Sequence, residues 1–348
     1  MENSKEHYGY DDASRACGFV TNKLVQAGLN PDNVKNAIII GSGLGSFTKD
    51  HVDSSSVKIP FNEIFANINI EGRKEGVEGH AKQLVIGPLN GELADKLIIA
   101  QDGREHPYEG ISIRRAVFWL RIMQLLGVET LLGSNAIGIV TPKTLQVLPS
   151  LILVHSHRDF ADDNPLVGNN DDRFGPRFPH SGDLYPAKTR KLVQEVAAKL
   201  DIPLKQGTLF RFKGPEYESR ETIYDLRGIL ENIWRNGALQ LGEDRFTGES
   251  VGAVGMSSTY EHLVAQHASQ SEYHKAFHKH RAHISAATNY AAGLGPDGPV
   301  PEPTHEEVKR MGCLVEERFG KLAREVILEM QKALQQYQQN CQPEIKSK

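Results

Sequence analysis

Seven short apolar segments, each the length of a buried strand, recur along the chain and limit what it can fold into. They are NAIIIG (36–41), QLVIG (83–87), KLIIA (96–100), TLLGS (130–134), SLILVH (150–155), GTLFRF (207–212) and HISAAT (283–288). Runs this short, rich in β-branched residues, predict buried strands. Helical patterns lie between them. In ISIRRAVFWLRIMQLLG, Ile113, Ala116, Val117, Leu120 and Met123 share one face and Gly127 supplies a stop. A last helix opens at Thr304 with Glu307 three places on, a capping-box signature. Val308, Met311, Val315, Leu322 and Val326 then give it a core-facing stripe. This alternation predicts an α/β architecture.

No internal repeat and no long linker interrupts the pattern, so one domain over residues 1–340 is expected, followed by a polar tail at 341–348. Polar or turn-rich stretches near 229–250, 268–280 and 291–303 read as loops inserted into it. The formal net charge of -4 argues against a nucleic-acid or anionic-membrane partner, because both reward a positive surface. An anion must therefore be held by a local pocket. Three cysteines, Cys17, Cys313 and Cys341, are too few and too scattered for a disulfide framework or a zinc site, which fits a reducing compartment. The opening MENSKEHYGYDD is neither a secretory signal nor a transit peptide, and no apolar run is long enough to span a bilayer. A cytoplasmic location is expected.

Three strings carry chemistry. IIIGSGLGS runs a buried strand into a turn at Gly41, Ser42, Gly43 and Gly45, where backbone amides and the Ser42 hydroxyl can donate to an anion. It lacks the GxGxxG dinucleotide pattern and the lysine of a P-loop, so alone it also fits a structural turn. In GREHPYEG, Arg104 and His106 have the same parity and emerge on one face of an extended segment. The arginine fork suits phosphate oxygens and the histidine adds a second donor, although the octapeptide alone also fits a surface loop. SNAIG ends the TLLGS strand, where α/β sheets place ligands.

These strings do not stand alone. GSGLG, VEGHAKQLVIG, GREHPYEG, LLGVETLLGSNAIG, NPLVGNNDDRFGPRFP, GPEYES, VGMSS, the ATN at 287–289 and THEEV stand in an order and spacing that resembles the trimeric purine nucleoside phosphorylases from about residue 35 to 330. The resemblance implies the nucleoside phosphorylase fold: a single α/β domain with a central mixed, partly barrel-like β-sheet surrounded by helices. It implies phosphorolysis of purine nucleosides (inosine, guanosine and their deoxy forms) to free base and ribose 1-phosphate, a purine salvage reaction. Inorganic phosphate is then a co-substrate, no cofactor or metal is required, and the chain assembles as a homotrimer.

The resemblance also implies roles. Phosphate is held by Ser42, by Arg104 and His106, by the backbone after Asn135 at Ala136, and by Ser257. The ribose is framed by Tyr108, Met256 and His305, with Phe174 of RFGPRF reaching in from a neighbouring subunit. The base is gripped by Glu218, stacked near Tyr217 and contacted by Asn289, while His80 belongs to a gate loop beside the site. Asn289, Glu218, His305 and His106 are the expected catalytic residues. Such roles suit a reaction that builds positive charge on the ribose. Bound phosphate stabilises that charge and then attacks C1′, and a donor to the departing purine gains strength as electron density grows there.

Three departures from the family pattern stand out. Ile137 occupies a position where alanine is typical, and either narrows the pocket or repacks its wall. Asp102 replaces a common glutamine just before Arg104, and repels phosphate if it faces inward. QHASQSEYHKAFHKHRAH is longer than the family's segment and holds His267, His274, His278, His280 and His283. On a helix, His274 and His278 would stand at i and i+4, a spacing that can bind a metal. No cysteine or carboxylate completes such a site, so a solvated, basic insertion is expected. Two rival functions remain at this stage: a 5′-methylthioadenosine phosphorylase, and a catalytically silent nucleoside-binding homologue. The first would favour aspartate at position 289 and a small residue at 305, where this chain has Asn289 and His305.

Overall fold

The computed structural model describes residues 8–70, 81–90, 96–141, 143–235, 240–241, 244–245, 250–274, 276–277 and 280–340. Its strands are β1 (Val34–Ile40), β2 (Val57–Pro60), β3 (Gln83–Pro88), β4 (Leu97–Asp102), β5 (Thr130–Ile139), β6 (Ser150–Asp159), β7 (Leu204–Arg211), β8 (Gln240–Leu241), β9 (Asp244–Arg245), β10 (Val251–Gly255) and β11 (His280–Tyr290). Its α-helices are α1 (Tyr10–Gln26), α2 (Ser46–His51), α3 (Phe61–Asn67), α4 (Ile113–Ala116), α5 (Phe118–Leu125), α6 (Ala187–Lys199), α7 (Arg220–Arg235), α8 (Thr259–Ser269) and α9 (His305–Asn340). Each of the seven segments read as strands falls on one of them. No described helix is long and apolar enough to cross a membrane.

One nine-stranded mixed sheet runs in the order β10-β7-β6-β11-β5-β1-β4-β3-β2, and β10 also pairs with β5. That extra pairing closes β5, β11, β6, β7 and β10 into a five-stranded barrel, with β1, β4, β3 and β2 extending from it. The expected single domain with a partly barrel-like sheet is what the chain forms. Strand β5 is the junction. Its first half lies parallel to β1, up to Ile39 opposite Gly133, and its end lies antiparallel to β10, from Val254 opposite Gly138. Between those pairings no described strand covers residues 134–137 on that edge. This is a topological switch point, where open α/β sheets leave room for ligands.

The pleat sorts the core into layers. Ile39, Leu84, Ile86 and Ile99 face a cluster built with α1, α3, α5 and α8, while Ile38, Ile40, Val85 and Ile98 face one built with α2, α6 and α9. Period-two alternation in apolar strands explains why both faces of this half of the sheet are dry.

Four local expectations are corrected. The helix predicted over ISIRRAVFWLRIMQLLG is two helices, α4 and α5, broken at Val117, whose ψ of 2° departs from helical values. Residues 220–235 are helical, so the first part of the supposed loop at 229–250 belongs to α7, which buries Ile223, Leu226 and Leu230. His274 lies in a bend after α8 and not on a helix. The segment is also not a solvated insertion throughout: Ala276 and Phe277 are fully buried and His274 Nε2 bonds the Tyr10 hydroxyl at 2.8 Å. His278 and the tail at 341–348 lie outside the described residues. The stretch at 291–303 is the turn-rich connection expected, opening on a 3-10 turn at Ala291–Gly293.

Candidate active site

A cleft of about 320 Å³ opens at the β5 switch point, lined there by Asn135, Ala136, Ile137 and Gly138. The glycine-rich turn after β1 brings Ser42 to its wall. Gly41 must lack a side chain, since a Cβ would stand 2.6 Å from Asn135 Cα. Gly43 has φ +73° and packs against Gly312 of α9, where a Cβ would stand 2.9 Å from Gly312 Cα.

The segment after β4 supplies the cationic side. Arg104 and His106 both line the cleft, while Glu105 between them turns away to Arg115 at 2.7 Å. Arg104 is 2% exposed and fixed on three sides: Nε donates to Glu261 Oε1 (2.8 Å), and NH2 to Ser134 O (2.5 Å) and Ser258 Oγ (3.3 Å). His106 stacks on Tyr108 with centroids 4.7 Å apart, and its Nδ1 lies 3.3 Å from Glu109 Oε1. Burial lowers the His106 pKa, against the raising pull of Glu109. Burial would raise the Glu109 carboxyl, but hydrogen bonds from His106 and Lys82 hold it at about 2. An ionised Glu109 accepts a hydrogen bond from His106 Nδ1–H and so fixes the ring.

Strand β10 leads into α8 through Met256 and Ser257, both lining the cleft. Ser258, the residue before α8, has φ +82°, a conformation that costs energy for a side-chain-bearing residue and is found at sites of tight positioning. Glu261 in the first turn of α8 is the carboxylate that grips Arg104.

After β7 the chain presents Pro215, Tyr217 and Glu218 to the same cleft. Burial raises the Glu218 carboxyl above its ordinary range. A bulge in β11, between the pairs Ala287–Ile137 and Asn289–Gly138, inserts Thr288 as an extra residue. Successive strand residues normally face opposite ways; the bulge lets Thr288 and Asn289 both face the cleft. The Thr288 hydroxyl lies 3.0 Å from Asn289 Oδ1, so the Asn289 amide nitrogen is its donor side. At the mouth, Thr304 caps α9 by accepting from Glu307 N at 3.2 Å, and His305 and Val308 line the opening.

Behind Ala136, inside the barrel, Asn135 Oδ1 accepts from Ser285 Oγ (2.7 Å) and His283 Nε2 (2.9 Å). His283 Nδ1 meets His262 Nε2 at 3.1 Å, and burial holds both imidazoles well below their ordinary pKa. Neutral rings supply one donor and one acceptor to each link of this chain, which tethers β5 at Asn135 in the cleft wall.

Eleven of the residues singled out in the sequence meet in this one cleft: Ser42, Arg104, His106, Tyr108, Ala136, Tyr217, Glu218, Met256, Ser257, Asn289 and His305. His80 lies outside the described residues. Phe174 does not fit its expected place. It is 6% exposed, its ring lies 5.3 Å from Tyr10, and the Arg121 guanidinium sits 4.5 Å over its face. A ring sealed into its own chain cannot enter a neighbour's pocket. The exposed ring of the same RFGPRF string is Phe178, at 88%. Asp102 faces away from the lining, with Gln83 Nε2 at 3.1 Å and Thr48 Oγ1 at 3.3 Å donating to it. Ile137 lines the cleft and also packs into the barrel core. Sequence reading missed Glu109, Glu261, Thr288 and Gly312. Glu109 and Gly312 left a signal, as a capping carboxylate three residues after His106 and a glycine inside a helical stripe.

Residues 38–328 match the family model of the Phosphorylase superfamily. Purine nucleoside phosphorylase 1 of Bacillus subtilis (strain 168) is 32% identical over 317 residues, covering 91% of this chain and 98% of that protein. The chain belongs to the purine nucleoside phosphorylase family. The family's Mus musculus member is 35% identical over 236 residues, 66% of this chain and 70% of that one. Among solved structures, a Schistosoma mansoni purine nucleoside phosphorylase in complex with adenosine superposes with a TM-score of 0.71 at 25% identity, covering 92% of this chain and 97% of the other. Isoform 2 from that organism, in complex with cytosine and ribose-1-phosphate, gives 0.70 at 26% identity, with 92% and 96% covered.

Proposed function

We infer that the protein phosphorolyses purine nucleosides, preferring inosine, guanosine and their deoxy forms, and that it works in the cytoplasm as a homotrimer without a metal or cofactor. The observation that carries this reading is one cleft combining an anion-binding wall with a purine-reading wall. Ser42, Arg104, His106, Ser257 and the Ala136 backbone hold phosphate; Tyr108, Met256 and His305 frame the ribose; Glu218, Tyr217 and Asn289 take the base. A phosphate oxygen bonds C1′ as the C1′–N9 bond breaks, the bond's electrons leave with the purine, and the purine takes up the proton that hydrogen phosphate gives up on becoming the ribose 1-phosphate dianion. Asn289 donates to N7 as that density builds. Glu218 accepts a hydrogen bond from N1–H of a 6-oxopurine. The rival readings lose support from the same geometry, because Asn289 and His305 both face the cleft and Asp102 turns away from it.

The trimer follows from RFGPRF, with Phe178 in the role first given to Phe174. Its exposed ring would complete a neighbour's ribose pocket, so a fully active monomer in sedimentation would remove the argument. The activity is tested by a coupled assay on inosine and methylthioadenosine, with and without phosphate and with a chelator. Phosphate-dependent release of hypoxanthine that survives the chelator is expected. Turnover of methylthioadenosine alone, or binding without turnover, would overturn the reading.

A further inference from the structure

A second cavity, of about 190 Å³, lies between the start of α1, the helices α4 and α5, and the loop at 165–174, and shares no lining residue with the cleft. Arg121 of α5 forms part of its wall and is 7% exposed. Every hydrogen-bond partner of this guanidinium among the described residues is neutral. NH1 donates to Gln124 Oε1 at 3.2 Å, NH2 meets His267 Nδ1 at 3.0 Å, and the plane covers Phe174. His267 cannot be the counter-charge. Its Nδ1 accepts from Arg121 while its Nε2 donates to Pro176 O at 3.0 Å, and burial with the nearby Arg121 charge lowers its pKa to about 4.

No carboxylate among the described residues pairs with Arg121. The single acid in the cavity wall is Asp171, which is bonded to Arg173 at 2.6 Å and reaches Arg121 only through space. In the first turn of α1, Asp12 pairs with Arg15 at 2.5 Å and the Asp11 side chain is 93% exposed. A buried cation without a hydrogen-bonded counter-ion is costly, and buried charges are ordinarily paired. Arg114 brings a second guanidinium to the wall, its NH2 anchored on Val167 O at 2.7 Å, while the Asn170 amide in the same wall already donates to Asp172 Oδ1 and Gly175 O. Arginine forks match the oxygens of phosphate-class anions.

We propose that this cavity is a second oxyanion site, which takes a phosphate-class anion between Arg121 and Arg114. The anion supplies the missing counter-charge and ties the start of α1 to the loop carrying Phe174. The source is free inorganic phosphate or the phosphoryl group of a sugar phosphate, and both present the same oxygens.

The test counts bound anion by equilibrium dialysis of labelled inorganic phosphate against the full chain. Two phosphates per chain are expected in the wild type, and one in Arg121→Met, with phosphorolysis at saturating substrate unchanged within about twofold. Arg104→Met should also bind one, through the second site. Ribose 1-phosphate then competes either at both sites or only at the cleft, which separates the two sources. Should Arg121→Met fail to fold, Arg114→Gln at the outer wall should weaken the second phosphate by roughly tenfold or more. Since Arg121 has no hydrogen-bonded counter-ion in anion-free buffer, Arg121→Met should melt no lower than the wild type there, and should lose the added stability that phosphate gives the Arg104→Met background. One phosphate per chain in the wild type, or two in both Arg121→Met and Arg114→Gln, would overturn the proposal.

Discussion

Asn289 owes its orientation to its neighbour. The Thr288 hydroxyl holds Oδ1, while Nδ2 makes only a long 3.3 Å contact to Tyr290 O, so the amide NH2 group is free to meet a purine acceptor. Aspartate at 289 would reverse that polarity and favour a 6-amino group. In Asn289→Asp the ratio of kcat/KM for inosine over adenosine should fall by about tenfold or more, and an unmoved ratio would show that the base is read elsewhere. Glu109 acts one step back, through His106. Glu109→Gln should raise the phosphate KM with a smaller effect on nucleoside KM, because His106 loses the charge that fixes its ring. The parity of Arg104 and His106 was legible in eight letters, since an extended segment alternates its faces. The choice between Phe174 and Phe178 was not. The two sit four residues apart in one string, and only contacts with Tyr10 and Arg121, far away in the chain, decide which ring is buried.

Among the elements, α9 has a double task. Its first turn presents His305 to the cleft, and Gly312 two turns on lets the helix lie directly on the glycine loop at Gly43. A methyl group at 312 would meet Gly43 Cα at 2.9 Å and Ser42 O at 3.2 Å, with backbone atoms that cannot swing aside. Gly312→Ala should therefore weaken phosphate and nucleoside together, whereas Thr304→Ala, which removes only the cap, should cost about 1 kcal/mol of stability. Steady-state kinetics and thermal melts separate the two; an unaffected Gly312→Ala enzyme would mean that loop and helix move independently. The strands were readable because their apolar runs fit a two-faced buried sheet. The bulge at Thr288 was not, because one extra residue in a ladder depends on the partner strand's register. The break at Val117 was hidden for a similar reason, lying inside an unbroken apolar stripe.

At the scale of the whole molecule, closure of the barrel came from family resemblance; no strand's own sequence declares that β10 will return to β5. Charge burial offers a test of the assembled core. His106, His157, His262, His267 and His283 all have pKa values lowered from 6.5, burial being the leading cause, with His157 and His267 at about 4. The unfolded chain takes up protons at these groups before the folded one does. Stability is thus fully present above pH 6.5 and is lost as pH falls toward 4, by up to roughly 1.4 kcal/mol per histidine for each pH unit. Melting temperatures in ligand-free buffer should drop steeply between pH 6.5 and 5, and a flat profile would contradict this. Assembly has its own test: Phe178→Ala should raise nucleoside KM while leaving the melting temperature near that of the wild type, since the ring is exposed within its own chain.

The ring of strands is unevenly sewn. Strand β11 holds β5 through ten residue pairs, but β10 meets β5 through two, Ala253 with Ile139 and Val254 with Gly138, supported by Val140 N donating to Gly252 O at 2.8 Å. That short seam is also a lip of the cleft, where Gly138, Val254 and Gly255 stand beside Asn289. Deuterium should therefore replace the Val140 amide hydrogen sooner than that of Ala286 on the well-sewn side, because short pairings open at lower free energy. A purine lodged across both edges acts as an added stitch. Its arrival should slow exchange at Val140 and leave Ala286 as it was, so that the rate at one amide reports occupancy of the cleft without any turnover.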